Sequence, residues 1–144
     1  MYYEKNFVRI LWSCCVVLLF AGCVTTLQSY KPKTPDEASI KKLLLIWEST
    51  WNSHDVNGNL ALYNAKAQIM YGKDRNIATK AEYSRILPER MSAHPSIKLG
   101  APGIKVSGER ADALVNMSIG NYQSSTTFHL VKEHGRWSII SWEY

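Results

Sequence analysis

The chain has 144 residues, 17 of them basic and 12 acidic, which gives a formal net charge of +5. This length allows one domain of ordinary size, and a composition that is 46% hydrophobic and 20% charged is typical of a folded globular chain. The basic residues are scattered, and their longest run is Lys41-Lys42. Because nucleic-acid binding requires a clustered basic stripe, we expect no nucleic-acid partner.

The chain begins with a short apolar segment behind a basic flank. Residues 10–20 are apolar except for Ser13, and Lys5 and Arg9 precede them. This run is too short for a transmembrane helix, which needs about 20 apolar residues. The basic flank, the apolar core and the small residues at its end are typical of a cleaved secretory signal.

The end of that segment, Leu19-Phe20-Ala21-Gly22-Cys23, resembles the lipobox of bacterial lipoproteins. In that family the cysteine carries a diacylglyceryl thioether and becomes the new N-terminus. The resemblance implies a signal peptide over 1–22, a lipidated, palmitate-bearing Cys23, and a tether over 23–33. It also implies export and anchoring to the bacterial membrane. Val24, in place of Asp, favours the periplasmic face of the outer membrane if the host has one.

This interpretation also accounts for the remaining cysteines. Cys14 and Cys15 lie inside the apolar core and would leave with the signal. Cys23 would then be the only cysteine of the mature chain, so no disulfide is expected. Loss of the signal would leave a net charge of +4.

A long amphipathic helix is predicted to open the domain at residue 34. Thr34 can cap it, Pro35 suits its first position, and Glu37 would complete a capping box. Apolar residues then follow the helical period; they are Ile40, Leu43, Leu44, Trp47 and Trp51. Residues 55–59 are predicted to end this helix, and a short second helix is expected over 60–63.

The rest of the chain predicts one more helix and then several strands. Residues 67–71 form a predicted strand, and a second capping box over 79–82 opens a helix that Pro88 should kink or shorten. Strands are then predicted over 104–106, 113–119, 126–132 and 136–144, with turns at 107–110 and 133–135. Helices followed by an antiparallel meander give an α+β layout.

This order and two sequence strings resemble the nuclear transport factor 2-like (NTF2-like) superfamily, which includes ketosteroid isomerases and SnoaL-type polyketide cyclases. The strings are LYxxxAxI from Leu62 and KEHGRWxI from Lys132. The resemblance covers about residues 37–144. It implies an α+β cone over 34–144, in which N-terminal helices pack on a curved, mostly antiparallel sheet. Members include enzymes, ligand binders and dimerising scaffolds, so the fold alone does not settle the function. A homodimer is expected.

In this fold the long helix and the concave face of the sheet enclose an apolar pocket. Aromatic residues with one polar group suit such a pocket, although each could instead be plain core. For the strand over 126–132, either Thr127 and His129 face the pocket or Phe128 and Leu130 do, and periodicity slightly favours the second arrangement. The predicted pocket residues are Trp47, Trp51, Tyr63, Tyr71, Tyr83, Thr127 and His129.

The resemblance can be tested against known chemistry. Ketosteroid isomerases use an Asp base and an oxyanion hole made of Tyr and a protonated Asp. Gap-free counting places these at Tyr71, Trp47 and Thr127, and none carries the required group. We therefore expect a non-enzymatic function, either binding of a small apolar or amphipathic ligand or a dimeric interaction module. The alternative is a SnoaL-like isomerase, cyclase or dehydratase that uses Tyr71, Tyr63 and His129.

The histidines show no metal-binding spacing. His54-Asp55 follows the first helix, His94 is expected in a loop, and His134 lies in a predicted turn. Capping and turn formation explain these positions better than acid–base chemistry. With no paired ligands and no Gly-rich phosphate loop, neither a metal nor a cofactor is expected.

Replacement of Cys23 by Ala is expected to abolish lipid labelling and to leave the precursor uncleaved, because the cysteine sulfur would carry the lipid. Labelling with radioactive palmitate and the mass of the accumulated chain measure both effects. Normal membrane retention without acylation would contradict the lipoprotein interpretation.

Overall fold

A computed structural model of the chain describes residues 25–72 and 74–143. The predicted signal peptide and Cys23 lie outside the described residues. In chain order the elements are α1 (Pro35–Asn52), α2 (Val56–Leu60), β1 (Gln68–Tyr71), β2 (Asn76–Thr79), α3 (Lys80–Ala93), β3 (Ile97–Leu99), β4 (Gly103–Ser107), β5 (Arg110–Ile119), β6 (Tyr122–Glu133) and β7 (Arg136–Glu143). None of the helices in this part of the chain has the length and apolar character needed to cross a membrane.

Helix α1 begins at the predicted position and buries the predicted residues, but the predicted capping box is not formed, because the Glu37 carboxylate accepts from the N–H of Lys33 instead of that of Thr34. The Thr34 side chain accepts a hydrogen bond from the Glu37 N–H at 3.1 Å, and Pro35 occupies the first turn. The Glu37 carboxylate accepts from the Lys33 N–H and the Tyr30 hydroxyl, which lowers the pKa of Glu37. The residues predicted for the apolar stripe are the buried ones; they are Ile40, Leu43, Leu44, Trp47 and Trp51.

The second helix begins earlier than predicted. It spans Val56–Leu60 instead of 60–63, because Asp55 caps it by accepting from the Gly58 N–H at 2.9 Å. Asn59 on this helix is fully buried, and its Nδ2 donates to the Trp47 carbonyl oxygen at 3.2 Å. Asp55 is thus a capping residue, and α2 is fastened against the middle of α1.

Helix α3 opens with the predicted capping box. The Thr79 side chain accepts from the Glu82 N–H, and the Glu82 carboxylate accepts from the Thr79 N–H at 2.8 Å. The hydrogen bonds that this carboxylate accepts from the Thr79 N–H and the Thr79 hydroxyl lower the pKa of Glu82. The helix continues through Pro88 to Ala93 instead of ending there. Strand β2, which the sequence did not predict, pairs with β1 in a separate antiparallel ribbon.

The main sheet has five antiparallel strands. Four of them follow the order β3-β5-β6-β7. The fifth, β4, pairs with residues 110–114 of β5, on the same edge where β3 pairs with residues 117–119. Strands β6 and β7 are joined at His134-Gly135, where both residues have positive φ, 50° and 77°. That conformation matches the tight hairpin turns that suit the twist of paired strands.

The alternating burial along β6 settles which face of the strand is inside. Phe128 and Leu130 are 0% and 2% exposed, whereas Thr127 and His129 are half-buried on the opposite face. Strand β5 alternates in the same way. The core therefore fills the space between the inner face of the sheet and the helices, and Thr127 and His129 lie outside it.

Part of the segment predicted as a tether is packed on the domain. Leu27 is 1% exposed, and its N–H donates to the Leu99 carbonyl at 3.2 Å. Thr26 pairs with Gly100 in an isolated bridge. Lys41 on α1 donates from Nζ to the carbonyl oxygens of Gln28 and Tyr30. The packed part of the chain thus begins before residue 34.

Phe128→Ala is expected to lower the free energy of unfolding by about 3–5 kcal/mol, because it leaves a cavity in the core. Thr127→Ala, the matched change on the outer face, is expected to cost less than about 1 kcal/mol. Urea denaturation of both variants measures the difference. Equal losses would contradict the observed phase of β6.

Candidate functional site

A cavity of about 390 Å³ lies between α1, the end of α3 and the inner face of the sheet. This volume falls within the roughly 300–1,000 Å³ of typical small-molecule sites. Its walls are mostly apolar and are formed by Trp47, Trp51, Ile97, Met117, Ile119 and Trp142. Polar groups come from Arg90, His94, Tyr122 and Ser124, and Gly72 completes the lining. The cavity thus combines a large apolar surface with a few polar groups.

The rings of Trp47, Trp51 and Trp142 form the floor of the cavity, and they pack with one another and with Phe128. The Trp47 ring lies 5.2 Å from that of Trp51 and 5.1 Å from that of Phe128, the second pair edge to face. Trp142 is 6.2 Å from Trp47. Such tilted and edge-to-face pairs are the preferred arrangements of aromatic rings. The floor is therefore held in one arrangement by its own packing.

Behind this floor the Trp47 indole Nε1 donates a hydrogen bond to the Tyr63 hydroxyl at 2.9 Å. Tyr63 is 2% exposed, and burial raises its pKa well above the ordinary value. Hydrogen bonds from the indoles of Trp47 and Trp142, and the positive charge of Arg90, act in the opposite direction but are smaller. Tyr63 is consequently a neutral structural partner of the floor.

The end of α3 is tied to α1 on another side of the cavity. The Trp51 indole Nε1 donates to the His94 carbonyl oxygen at 2.8 Å. The Asn52 side-chain amide nitrogen donates to the Ile97 carbonyl oxygen, and its amide oxygen accepts from the Ile97 N–H, each at 2.8 Å. These contacts bring Arg90 and His94 to the same wall as the two tryptophans. Among the lining residues that the structure describes there is no carboxylate.

The structure brings two of the seven predicted pocket residues to the cavity. Trp47 and Trp51 line it. Tyr63 and Tyr83 are buried behind the lining, and their rings lie 6.0 Å apart. Tyr71 is half-buried and lies 6.4 Å from the Tyr83 ring, also outside the lining. For these three tyrosines the core-packing alternative is the one observed.

The prediction that Thr127 and His129 line the pocket is wrong, because β6 has the opposite phase. His129 Nδ1 lies 2.7 Å from an Asp112 carboxylate oxygen, and its Nε2 lies 3.5 Å from Glu143. These partners are on the exposed face of the sheet. The gap-free count that placed an isomerase aspartate at Thr127 therefore fell on a residue facing away from the cavity.

Several lining residues were not predicted. Arg90 and His94 continue the spacing of Tyr83 and Leu87 along one side of α3, a signal that was present in the sequence. Met117, Ser124 and Trp142 come from strands whose register no local pattern fixes. Elsewhere, the described residues contain no group of three His, Cys, Asp or Glu side chains able to hold a metal ion.

No family model matches this sequence, and no curated protein does. Solved structures do resemble the chain. An NTF2-like protein of unknown function from Shewanella baltica aligns with a TM-score of 0.63 at 16% identity, over 78% of this chain and 96% of that one. A protein with a cystatin-like fold from Nostoc punctiforme gives 0.64 at 15% identity, over 78% and 91%.

A third similar structure is a candidate ketosteroid isomerase from Shewanella frigidimarina, with a TM-score of 0.59 and 18% identity over 73% of this chain and 94% of that one. At such identities the likeness shows the fold alone. The domain has the NTF2-like fold, and the predicted α+β cone with its curved antiparallel sheet is confirmed. An NTF2-like fold is compatible with ligand binding and with an isomerase-type pocket.

Tyr63→Phe is expected to lower the free energy of unfolding by about 1–3 kcal/mol at pH 8, because the buried Trp47 N–H loses its acceptor. The wild-type stability should also fall as pH rises above about 10, where the unfolded chain releases the Tyr63 proton and the folded chain keeps it. This part of the pH dependence of stability should be absent from Tyr63→Phe.

Urea denaturation at about pH 8 and pH 11 measures both effects. Tyr122→Phe is the matched control, because Tyr122 is 64% exposed. A Tyr63→Phe variant as stable as this control, with the wild-type pH dependence, would show that the Trp47–Tyr63 hydrogen bond does not support the floor.

Proposed function

We propose that the protein is a membrane-anchored envelope lipoprotein whose NTF2-like domain binds a small apolar or amphipathic molecule in the cavity. The observation that carries this proposal is the cavity itself, about 390 Å³ with walls of indole and aliphatic groups. Apolar sites with a few convergent polar groups are the usual form of a small-molecule site.

The placement of the candidate catalytic residues supports binding over chemistry. His129 faces away from the cavity, and Tyr71 lies outside its lining. The buried Tyr63 has its pKa raised further from neutrality, which makes it a poor base. An isomerase mechanism would need a base within reach of the bound molecule; the described lining offers no carboxylate, and its one imidazole is that of His94.

The N-terminal segment supports a close association with a bilayer. The Ala101 N–H donates to the Thr25 carbonyl oxygen at 3.0 Å, so the packed part of the chain begins two residues after Cys23. Two extended residues span at most about 7 Å. A lipid on Cys23 would therefore hold the domain close to the membrane surface. The predicted homodimer stays a prediction.

Filling the cavity is expected to abolish binding. Ser124 lines the cavity, whereas its neighbour Ser125 is exposed on the opposite face. The variant Ser124→Phe places a ring in the cavity, and Ser125→Phe makes the same chemical change outside it. The probe is 8-bromo-1-octanol, whose bromine quenches tryptophan fluorescence on contact.

The full chain in lipid nanodiscs is titrated with this probe, with protein-free nanodiscs as the blank. Wild type and Ser125→Phe are expected to show saturable quenching. The apparent affinity of Ser124→Phe for the probe should be about tenfold lower or worse, because an overfilled site excludes the ligand. Absence of quenching in all three proteins, or equal quenching in all three, would overturn the proposal.

A further inference from the structure

Among the described lining residues, Arg90 is the permanently charged one, and the structure shows no ion-pair partner for it within residues 25–72 and 74–143. Arg90 lies in the last turn of α3 and lines the cavity. Its Nε is buried and has no hydrogen-bond acceptor among the described residues. More than about 90% of buried polar groups in proteins do have a partner, so this donor requires an explanation.

The usual structural explanations do not account for Arg90. The four ion pairs found among the described residues involve Arg75, His129 and Lys132, not Arg90. The cation–π contact found in the same part of the chain joins Lys132 to Trp137. A position near the C-terminal end of a helix favours a positive charge, but a side chain in water would serve that purpose as well.

The chemistry of the guanidinium identifies what is missing. Arg cannot lose its proton in a protein and offers five N–H donors in a planar fork. Arg90 is half-buried and its Nε is fully buried, and a carboxylate accepts two parallel hydrogen bonds from this fork. No carboxylate comes from the described lining, and a carboxylate on the ligand would supply the acceptor that Nε lacks.

The rest of the cavity defines the body of such a ligand. Apart from the polar groups, the walls are the rings of Trp47, Trp51 and Trp142 and the side chains of Ile97, Met117 and Ile119. These groups contact hydrocarbon favourably and give no hydrogen bonds to a sugar or a peptide, apart from indole N–H groups. For Trp47 and Trp51 those N–H groups already donate to Tyr63 and to the His94 carbonyl.

We propose that the ligand is an apolar monocarboxylic acid, bound with its carboxylate on Arg90 and its hydrocarbon body against the tryptophan floor. This inference rests on the proposed function, because it names the class of molecule that the same cavity takes. One guanidinium balances one negative charge, which favours a monocarboxylate over a dianionic phosphate ester.

The test compares two probes that differ only in the head group, 8-bromooctanoate and 8-bromo-1-octanol. Both are titrated against the full chain in zwitterionic lipid nanodiscs, and quenching of tryptophan fluorescence is measured. Arg90→Met is the test variant. Arg85→Met is the matched control, because Arg85 is an exposed residue of the same helix.

The Kd for 8-bromooctanoate is expected to rise about ten- to hundredfold in Arg90→Met, because the loss of one charge-assisted hydrogen bond weakens binding by about that factor. The Kd for the alcohol should stay within about twofold, and Arg85→Met should change neither. In Arg90→Lys the acid should bind with intermediate affinity, because the charge remains but the fork is lost. This conservative variant preserves the test if Arg90→Met fails to fold.

Two outcomes separate this inference from the proposed function. If both probes bind and Arg90→Met weakens neither or both equally, the acid is not recognised by Arg90, and the cavity remains a binding site. If neither probe quenches wild type, both the inference and the proposed function fail.

Discussion

Trp47 fixes the distance between helix α1 and the sheet, and the cavity depends on that distance. Its ring packs against Phe128 on the sheet and Trp51 on its own helix, at 5.1 and 5.2 Å. Its N–H is held by Tyr63, which a short parallel bridge fastens to Ile139 of β7. Protein interiors are packed nearly as densely as organic crystals, so an open volume persists only where rigid groups hold its walls apart. The indole is such a group.

The same sheet presents two chemically different faces. The inner face carries the apolar side chains that meet α1 and α3. The outer face carries Thr127, His129 and Asp112, together with Leu114, which is 52% exposed. The predicted acid–base residue His129 is therefore separated from the cavity by the sheet itself, whereas His94 lines the cavity. Within the cavity, the polar side chains are those of Arg90, His94, Tyr122 and Ser124.

Much of the fold follows from local sequence, because its signals are short in range. Thr34 and Thr79 cap helices through residues three positions away, and the stripe from Ile40 to Trp51 fixes the buried side of α1. It was harder to predict which side chains of β6 face the core. Thr127, Phe128, His129 and Leu130 alternate in a way that fits either face, and the bulge between His129 and Leu130 shifts the pairing with β7.

The walls of the cavity were the least predictable part. Met117, Ser124 and Trp142 meet there only because of the strand register, which is set by pairing across the sheet. Counting from one motif to another crosses turns such as that at His134, where a single residue changes the face. Arg90 could have been predicted as a lining residue, since it continues the inward side of α3. A basic residue near the C-terminal end of a helix is, however, common because it interacts favourably with the helix dipole.

Native mass spectrometry of the protein purified from its host tests the central claim, that the cavity is a small-molecule binding site, most directly. The expected spectrum contains the protein and, beside it, the same protein carrying one small organic molecule, released on collisional activation. A spectrum of the protein alone, under conditions that preserve weak noncovalent complexes, would contradict the claim.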